Sequence, residues 1–215
     1  MPSFQESRET FRLWAELPAT ERVGEGVSFT FDDGPDPDAT PAVLDALDAA
    51  GAKATFFMVG EQVDAHPDLA SKVAERGHEI ALHCYEHIHH EQLTDPRGDV
   101  DRALVTIQRA TGVRPTLQRP PYGRFTAATY EIGRQAGLEP VYWSAWGEDW
   151  ETLAPDRIVD FVTRDLQPGV VILLHDSPRY GHRPTARPTA DAIPRIAAAA
   201  AQRGLALGPI SAGVG

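Results

Sequence analysis

Val27-Ser28-Phe29-Thr30-Phe31-Asp32-Asp33-Gly34-Pro35 is followed, after a short polar stretch, by Thr40-Pro41-Ala42-Val43-Leu44. The run 27–31 is apolar, β-branched and aromatic, which predicts a strand. Asp32-Asp33-Gly34-Pro35 stops it with turn residues. Thr40 then predicts an N-cap and Pro41 the first helical turn. Val43, Leu44, Leu47 and Ala50 line one face, and Gly51 ends the helix.

This unit of strand, polar cluster and helix recurs. Residues 54–59, 78–82, 116–118, 140–144 and 170–174 read as further strands, with a closing strand at 205–207. The run 170–174 is wholly apolar, as a strand buried on both faces would be. Helices are predicted from Pro67 to Gly77 and from Asp95-Pro96 to Gly112, where Val100, Leu104 and Ile107 share a face. Others span 125–136, 155–166 and 189–202, the last with a kink at Pro194. Strands alternating with helices predict one α/β domain over residues 1–215 with a mainly parallel sheet. Its core covers about 27–207, after an N-terminal extension at 1–25. The order of elements fits an open doubly wound sheet and a barrel equally well.

Length and composition narrow the function. A chain of 215 residues buries enough surface to fold without disulfides, and its single cysteine, Cys84, forms none within the chain. The net charge of −11 argues against a nucleic-acid partner and an anionic membrane surface. Residues 11–17 read as a short amphipathic segment broken by charges, not as a signal peptide. No stretch approaches the roughly 20 apolar residues of a membrane span. A cytoplasmic location is the expectation.

Four polar clusters directly follow predicted strands: Asp32-Asp33, His83, Arg119 and His175. In a parallel α/β fold the carboxyl ends of the strands share one rim, so these groups should converge. His83 and His87, four apart, would share a face of a helical turn and could hold one metal ion. Of the adjacent carboxylates, one could complete that metal site while the other faces water; D-D-G-P is also ordinary turn chemistry. His175, on the same rim as a metal, becomes a candidate general acid. Arg119, in Arg119-Pro120-Pro121-Tyr122-Gly123, could hold a carboxylate ionised and oriented.

Together, T-F-D-D-G-P at 30–35, H-C-Y-E-H at 83–87, R-P-P-Y-G at 119–123, D-W at 149–150 and L-L-H-D at 173–176 resemble the five ordered motifs of the polysaccharide deacetylase family. This is the NodB-homology domain of carbohydrate esterase family 4. The resemblance implies a distorted (β/α) barrel of about seven parallel strands. It implies a metal-dependent hydrolase that removes N-acetyl groups from an amino sugar such as a chitooligosaccharide. Asp33, His83 and His87 would bind one divalent ion, commonly zinc, with Co2+, Ni2+ and Mn2+ as alternatives. Asp32 would be the catalytic base, oriented by Arg119, and His175 the acid, tuned by Asp149. The backbone N–H of Tyr122 would help bind the oxyanion, and Trp150 and Leu173 would wall the acetyl pocket. Three protein ligands leave a position open for water and substrate, as catalytic zinc sites require.

Cys84 stands where the family usually has serine or threonine, and is read as a small buried residue. Trp146 stands where an acidic residue is frequent, and is a candidate for the substrate pocket; Trp143 is assigned to the core. His89, His90, Asp36 and Asp38 are read as solvent-facing, and His78 as structural. Two further readings stay open: the same site acting on a small non-sugar amide or cyclic imide or ureide, and a non-catalytic carbohydrate-binding module. Oligomeric state is not legible.

Overall fold

The structure, a computed structural model, describes residues 17–213. Residues 1–16, and with them nearly all of the expected amphipathic segment, lie outside the described residues. A seven-stranded sheet organises the rest: β1 (Ser28–Asp32), β2 (Thr55–Val59), β3 (Glu79–Cys84), β4 (Leu117–Gln118), β5 (Glu139–Pro140), β6 (Ala145–Trp146) and β7 (Val171–His175). The spatial order is β5-β4-β3-β2-β1-β7-β6 and every pairing is parallel. Helices follow the strands: α1 (Ala39–Ala49), α2 (Gly60–Ala65), α3 (Pro67–Glu75), α4 (Pro96–Thr111), α5 (Ala127–Gln135), α6 (Pro155–Arg164) and α7 (Arg187–Gln202).

The sheet must curl. β5 and β6 lie at opposite edges, yet only residues 141–144 join them. Flat, seven strands would separate those edges by about 29 Å. The linker reaches at most about 19 Å. It is hydrogen-bonded to both sides: the Val141 N–H donates to Gln118 O (2.8 Å) and the Ser144 N–H to Val171 O (3.0 Å). The expected strand at 140–144 is thus the last residue of β5 and the tie that leads to β6. No ladder pairs β5 with β6 among the described residues, so the sheet is a curled, unclosed barrel. The expected strand at 205–207 is reduced to one bridge, Val27 with Leu207.

β1 and β2 are buried along their whole length, which is why their sequences are continuously apolar apart from threonine, serine and the terminal aspartate. Phe29, Phe31 and Phe56 pack with Val43, Leu44 and Leu47 of α1 and Ile193 and Ile196 of α7. Register places Asp32 opposite His175 on the neighbouring strand.

Helix ends largely follow their expected chemistry. Asp95 accepts the Gly98 N–H at the start of α4, and Gly112 ends it with φ 74°. α1 departs from expectation, because Thr40 lies inside the helix. Asp36 does the capping, accepting from the N–H groups of Asp38 and Ala39. Thr40 Oγ1 instead donates to the buried Asp176 carboxylate (2.6 Å). Asp38 is exposed and pairs with Arg187. No helix among the described residues is long and apolar enough to cross a membrane.

Candidate active site

At the carboxyl end of β1 the backbone turns sharply, and Asp33 takes a left-handed φ of 81°, which aspartate tolerates better than most residues. The two adjacent carboxylates consequently find different partners. Asp32 Oδ1 accepts a hydrogen bond from Arg119 Nη1 (2.7 Å), while Asp33 Oδ1 lies 3.1 Å from His87 Nε2 and 3.5 Å from His83 Nε2.

Arg119, just past β4, is wholly buried. A buried guanidinium requires acceptors for its donors, and it has them: Asp32 Oδ1, Thr30 Oγ1, Tyr142 O and Val141 O. It also stacks over the Phe57 ring at 4.0 Å. Burial lowers its pKa and the Asp32 carboxylate raises it, leaving it below its ordinary value. Asp32 Oδ2 has no partner among the described residues.

His83 ends β3 rather than opening a helical turn, which corrects the expected helical geometry. The chain bends after Cys84, and Asp99 of α4 secures the bend by accepting the N–H groups of Tyr85 (3.0 Å) and Glu86 (2.9 Å). The bend, not a helix, carries His87 back beside His83. His83 Nδ1 is 2.7 Å from the Arg119 carbonyl, which can only accept, so Nδ1 carries a proton and Nε2 is the nitrogen turned toward Asp33.

Asp33, His83 and His87 offer one ligand atom each, all within 4.8 Å of one another. Asp33 Oδ1 is buried and receives no well-formed hydrogen bond. Burial would raise this carboxyl, but the imidazoles of His83 and His87 and the charge of His175 hold it well below the usual carboxylate range. A buried ionised oxygen set beside two imidazole nitrogens calls for positive charge among the three. The set therefore fits a divalent metal ion. Cys84, beside it, is buried, and burial pushes its thiol well up, away from reactivity.

His175 ends β7. Its Nδ1 is 2.8 Å from Asp149 Oδ1, and its backbone N–H donates to Asp149 Oδ2 (2.9 Å). Burial pushes the imidazole down, but Asp149, with help from Asp33 and Asp32, raises it to about 9. Burial would raise Asp149, yet His175 and Arg183 hold it at about 2. The result is an ionised pair, with the His175 Nδ1–H fixed on Asp149.

A cavity of about 380 Å³ opens on this rim, walled by Asp32, Asp33, His83, His87 and His175 together with Tyr122, Trp150 and Leu173. Trp150 sets its indole edge-on to His175 at 5.8 Å. Tyr122 takes a left-handed φ of 57° in the Pro121–Gly123 turn. Trp146 does not reach the cavity: it is buried in β6, paired in register with Leu173, so its place in the pocket is corrected. Trp143, assigned to the core, packs against a core cluster and also lines the cavity. His90 is also not solvent-facing; it is buried against Thr129 Oγ1 (2.8 Å). His89 stacks on Tyr122 at 4.0 Å.

Three further residues belong to the site. Arg183 reaches in from the loop after β7 and donates to Asp149, to the His175 and Ser177 carbonyls and to Thr189. Thr189 donates to Asp149 Oδ2 (2.7 Å). Tyr180 stacks on His87 at 3.9 Å. Arg179, Arg183 and Arg187 look alike in sequence, and only Arg183 is buried.

The family model described as polysaccharide deacetylase matches residues 20–141. A peptidoglycan-N-acetylglucosamine deacetylase of Bacillus cereus is 36% identical over 75% of this chain and 76% of its own length. A chitooligosaccharide deacetylase of a Bradyrhizobium species is 36% identical over 70% of each chain. A second Bacillus cereus peptidoglycan-N-acetylglucosamine deacetylase is longer, and the match spans 56% of it. Among solved structures, a family 4 carbohydrate esterase from Streptomyces lividans in complex with acetate is 36% identical with TM-score 0.77, covering 86% of this chain and 93% of that one. A peptidoglycan N-acetylglucosamine deacetylase in complex with 4-naphthalen-1-yl-N-oxidanyl-benzamide superposes with TM-score 0.85 at 27% identity, covering 99% and 97%.

Proposed function

The chain belongs to the polysaccharide deacetylase family, and on that premise we propose that it hydrolyses the N-acetyl group of an amino sugar within an acetylated glycan, releasing acetate and a free amine. The observation that carries the reading is the pair of buried ion pairs, Asp32 with Arg119 and His175 with Asp149, facing Asp33, His83 and His87 across one cavity. Relatives named for peptidoglycan and chitooligosaccharide deacetylation support the substrate class.

Asp33, His83 and His87 would hold one divalent ion, zinc first by its ligand types. Bound there, the ion would supply Lewis acidity toward the acetamide carbonyl. The residues of the chain divide the remaining work. Asp32 Oδ2, the oxygen not engaged by Arg119, takes a proton from water as the water oxygen bonds to the carbonyl carbon. Arg119 keeps Asp32 oriented through the 2.7 Å ion pair to Oδ1. The Tyr122 N–H donates to the developing oxyanion. His175, protonated at neutral pH, gives its Nε2 proton to the amide nitrogen as the C–N bond breaks. The leaving group departs as a neutral amine, the acetic acid left behind gives its proton to the amine through solvent to become acetate, and a proton returns from Asp32 to His175 through solvent. Trp150 and Leu173 wall the acetyl methyl.

The test is a hydrolysis panel of acetylated chitooligosaccharides, acetylated peptidoglycan fragments, small amides and cyclic imides, run on metal-loaded protein with Asp32→Asn as control. Acetate release from the glycans, lost in Asp32→Asn, is expected. Hydrolysis of only the small amides or imides would replace the substrate, and glycan binding without turnover would replace the activity.

A further inference from the structure

The two imidazoles of the ligand set are held differently. His83 has the usual support of a metal-binding histidine, with its far nitrogen fixed on a backbone carbonyl at 2.7 Å. His87 has none: its Nδ1 is buried and no acceptor lies within hydrogen-bond reach among the described residues. A ring free to rotate about its side-chain torsions would present Nε2 poorly. What it has is aromatic. Tyr180 lies face to face with it, ring centres 3.9 Å apart and planes 8° from parallel. Tyr122 meets it edge-on, at 4.9 Å and 70°. The Tyr180 ring is itself anchored, because Gln62 Nε2 of α2 donates to its hydroxyl (3.1 Å), and Gln62 is buried.

We propose that Tyr180 is the positioning residue of the metal site, its ring holding the His87 imidazole in the plane that a hydrogen bond to Nδ1 would otherwise fix. The inference rests on the metal reading of Asp33, His83 and His87. Stacking of this kind limits ring rotation. It also has a preferred charge state. An imidazole bonded to a divalent cation carries positive charge, and the tyrosine π-face attracts positive charge. Tyr180 therefore favours the loaded site over the empty one. It comes from the loop after β7, so that loop serves both the acid side, through Arg183, and the metal side, through Tyr180.

The experiment is titration of the metal-free protein with Co2+, followed by its visible absorption, and with Zn2+ against a chromophoric chelator. Supporting-residue losses of 10- to 100-fold in affinity are typical. Tyr180→Leu and Tyr180→Ala are expected to weaken both metals by about that factor. Tyr180→Phe, which keeps the π-face, stays within about threefold of the parent, and Gln62→Ala falls between. Thermal unfolding of the metal-free proteins checks that the fold is intact. Should Tyr180→Ala fail to fold, the Leu-against-Phe contrast decides. Parental affinity in Tyr180→Leu, with or without a raised KM, would overturn the proposal and leave Tyr180 only a wall of the cavity. His83→Ala separates the two readings: if it too binds metal as the parent does, the ligand set itself is wrong. If His83→Ala loses metal while Tyr180→Leu keeps it, only the role of Tyr180 falls.

Discussion

Asp32 and His175 sit in register on adjacent strands, yet their support comes from different kinds of structure. On the base side, Arg119 follows a strand and donates its other hydrogen bonds to Thr30 of β1 and to carbonyls of the linker that ties the sheet edges. On the acid side, Asp149 lies in the segment after β6. It is braced by Arg183 from a loop and Thr189 from the first turn of α7. The base is thus built into the sheet, while the acid depends on a loop for its support. Residues that support chemistry from a sheet are expected to couple to stability, and residues that support it from a loop to couple to turnover alone.

The largest expected effect is therefore Arg119→Met. It strands the Asp32 carboxylate in the core, and breaking such a buried pair costs about 3–5 kcal/mol. Denaturant unfolding of the metal-free protein measures it, and a loss under 1 kcal/mol would place the pair among ordinary surface pairs and erase the contrast. Next come the reacting groups themselves. Asp32→Asn and His175→Ala are each expected to lower turnover about 10²–10⁴-fold with metal content retained. Smaller still is Arg183→Met, predicted to reduce turnover about 10- to 100-fold through the lost charged hydrogen bonds. It should leave metal content unchanged. A stability loss as large as that of Arg119→Met would show that the loop is as structural as the sheet.

The finest distinction is the pH profile. His175 is raised to about 9, so as a proton donor it is competent below that value and fails as pH rises through it. A cation at Asp33 offsets one of the carboxylates that hold the proton, which places the alkaline limb at or below about 9 in the loaded enzyme. Asp149→Asn removes the main raising charge and should move that limb to lower pH; a limb that stays where it was would mean another group carries it. The same sign governs folding. The raised His175 contributes stability that is full below its ordinary 6.5 and lost as pH rises through about 9.

The contrast also marks what could be read from the sequence. Asp32, His83, Arg119 and His175 were legible because each follows a strand, and parallel strands bring such positions to one rim. The alternation of elements gave the fold class, and the motif resemblance its barrel form. The curl is hidden by residues 140–144, which look like one strand and are the end of β5 and the tie to β6. His87 was found for an incorrect local reason: the i, i+4 spacing suggested a helix, whereas Asp99, a dozen residues on, holds a bend. Arg183, Thr189 and Tyr180 were not legible, because a loop has no periodicity and burial of one arginine among three depends on tertiary contacts. Which indole faces the cavity is hidden for a similar reason: composition does not say that Trp143 both packs on the core and lines the cavity while Trp146 is buried in β6.

The most direct test of the whole account measures acetate release from an N-acetylated chitooligosaccharide and bound metal on the same samples of the parent and Asp32→Asn proteins. About one divalent ion per chain in both is expected, with acetate from the parent alone. Equal release by the two proteins, or release from a parent protein stripped of metal, would contradict it.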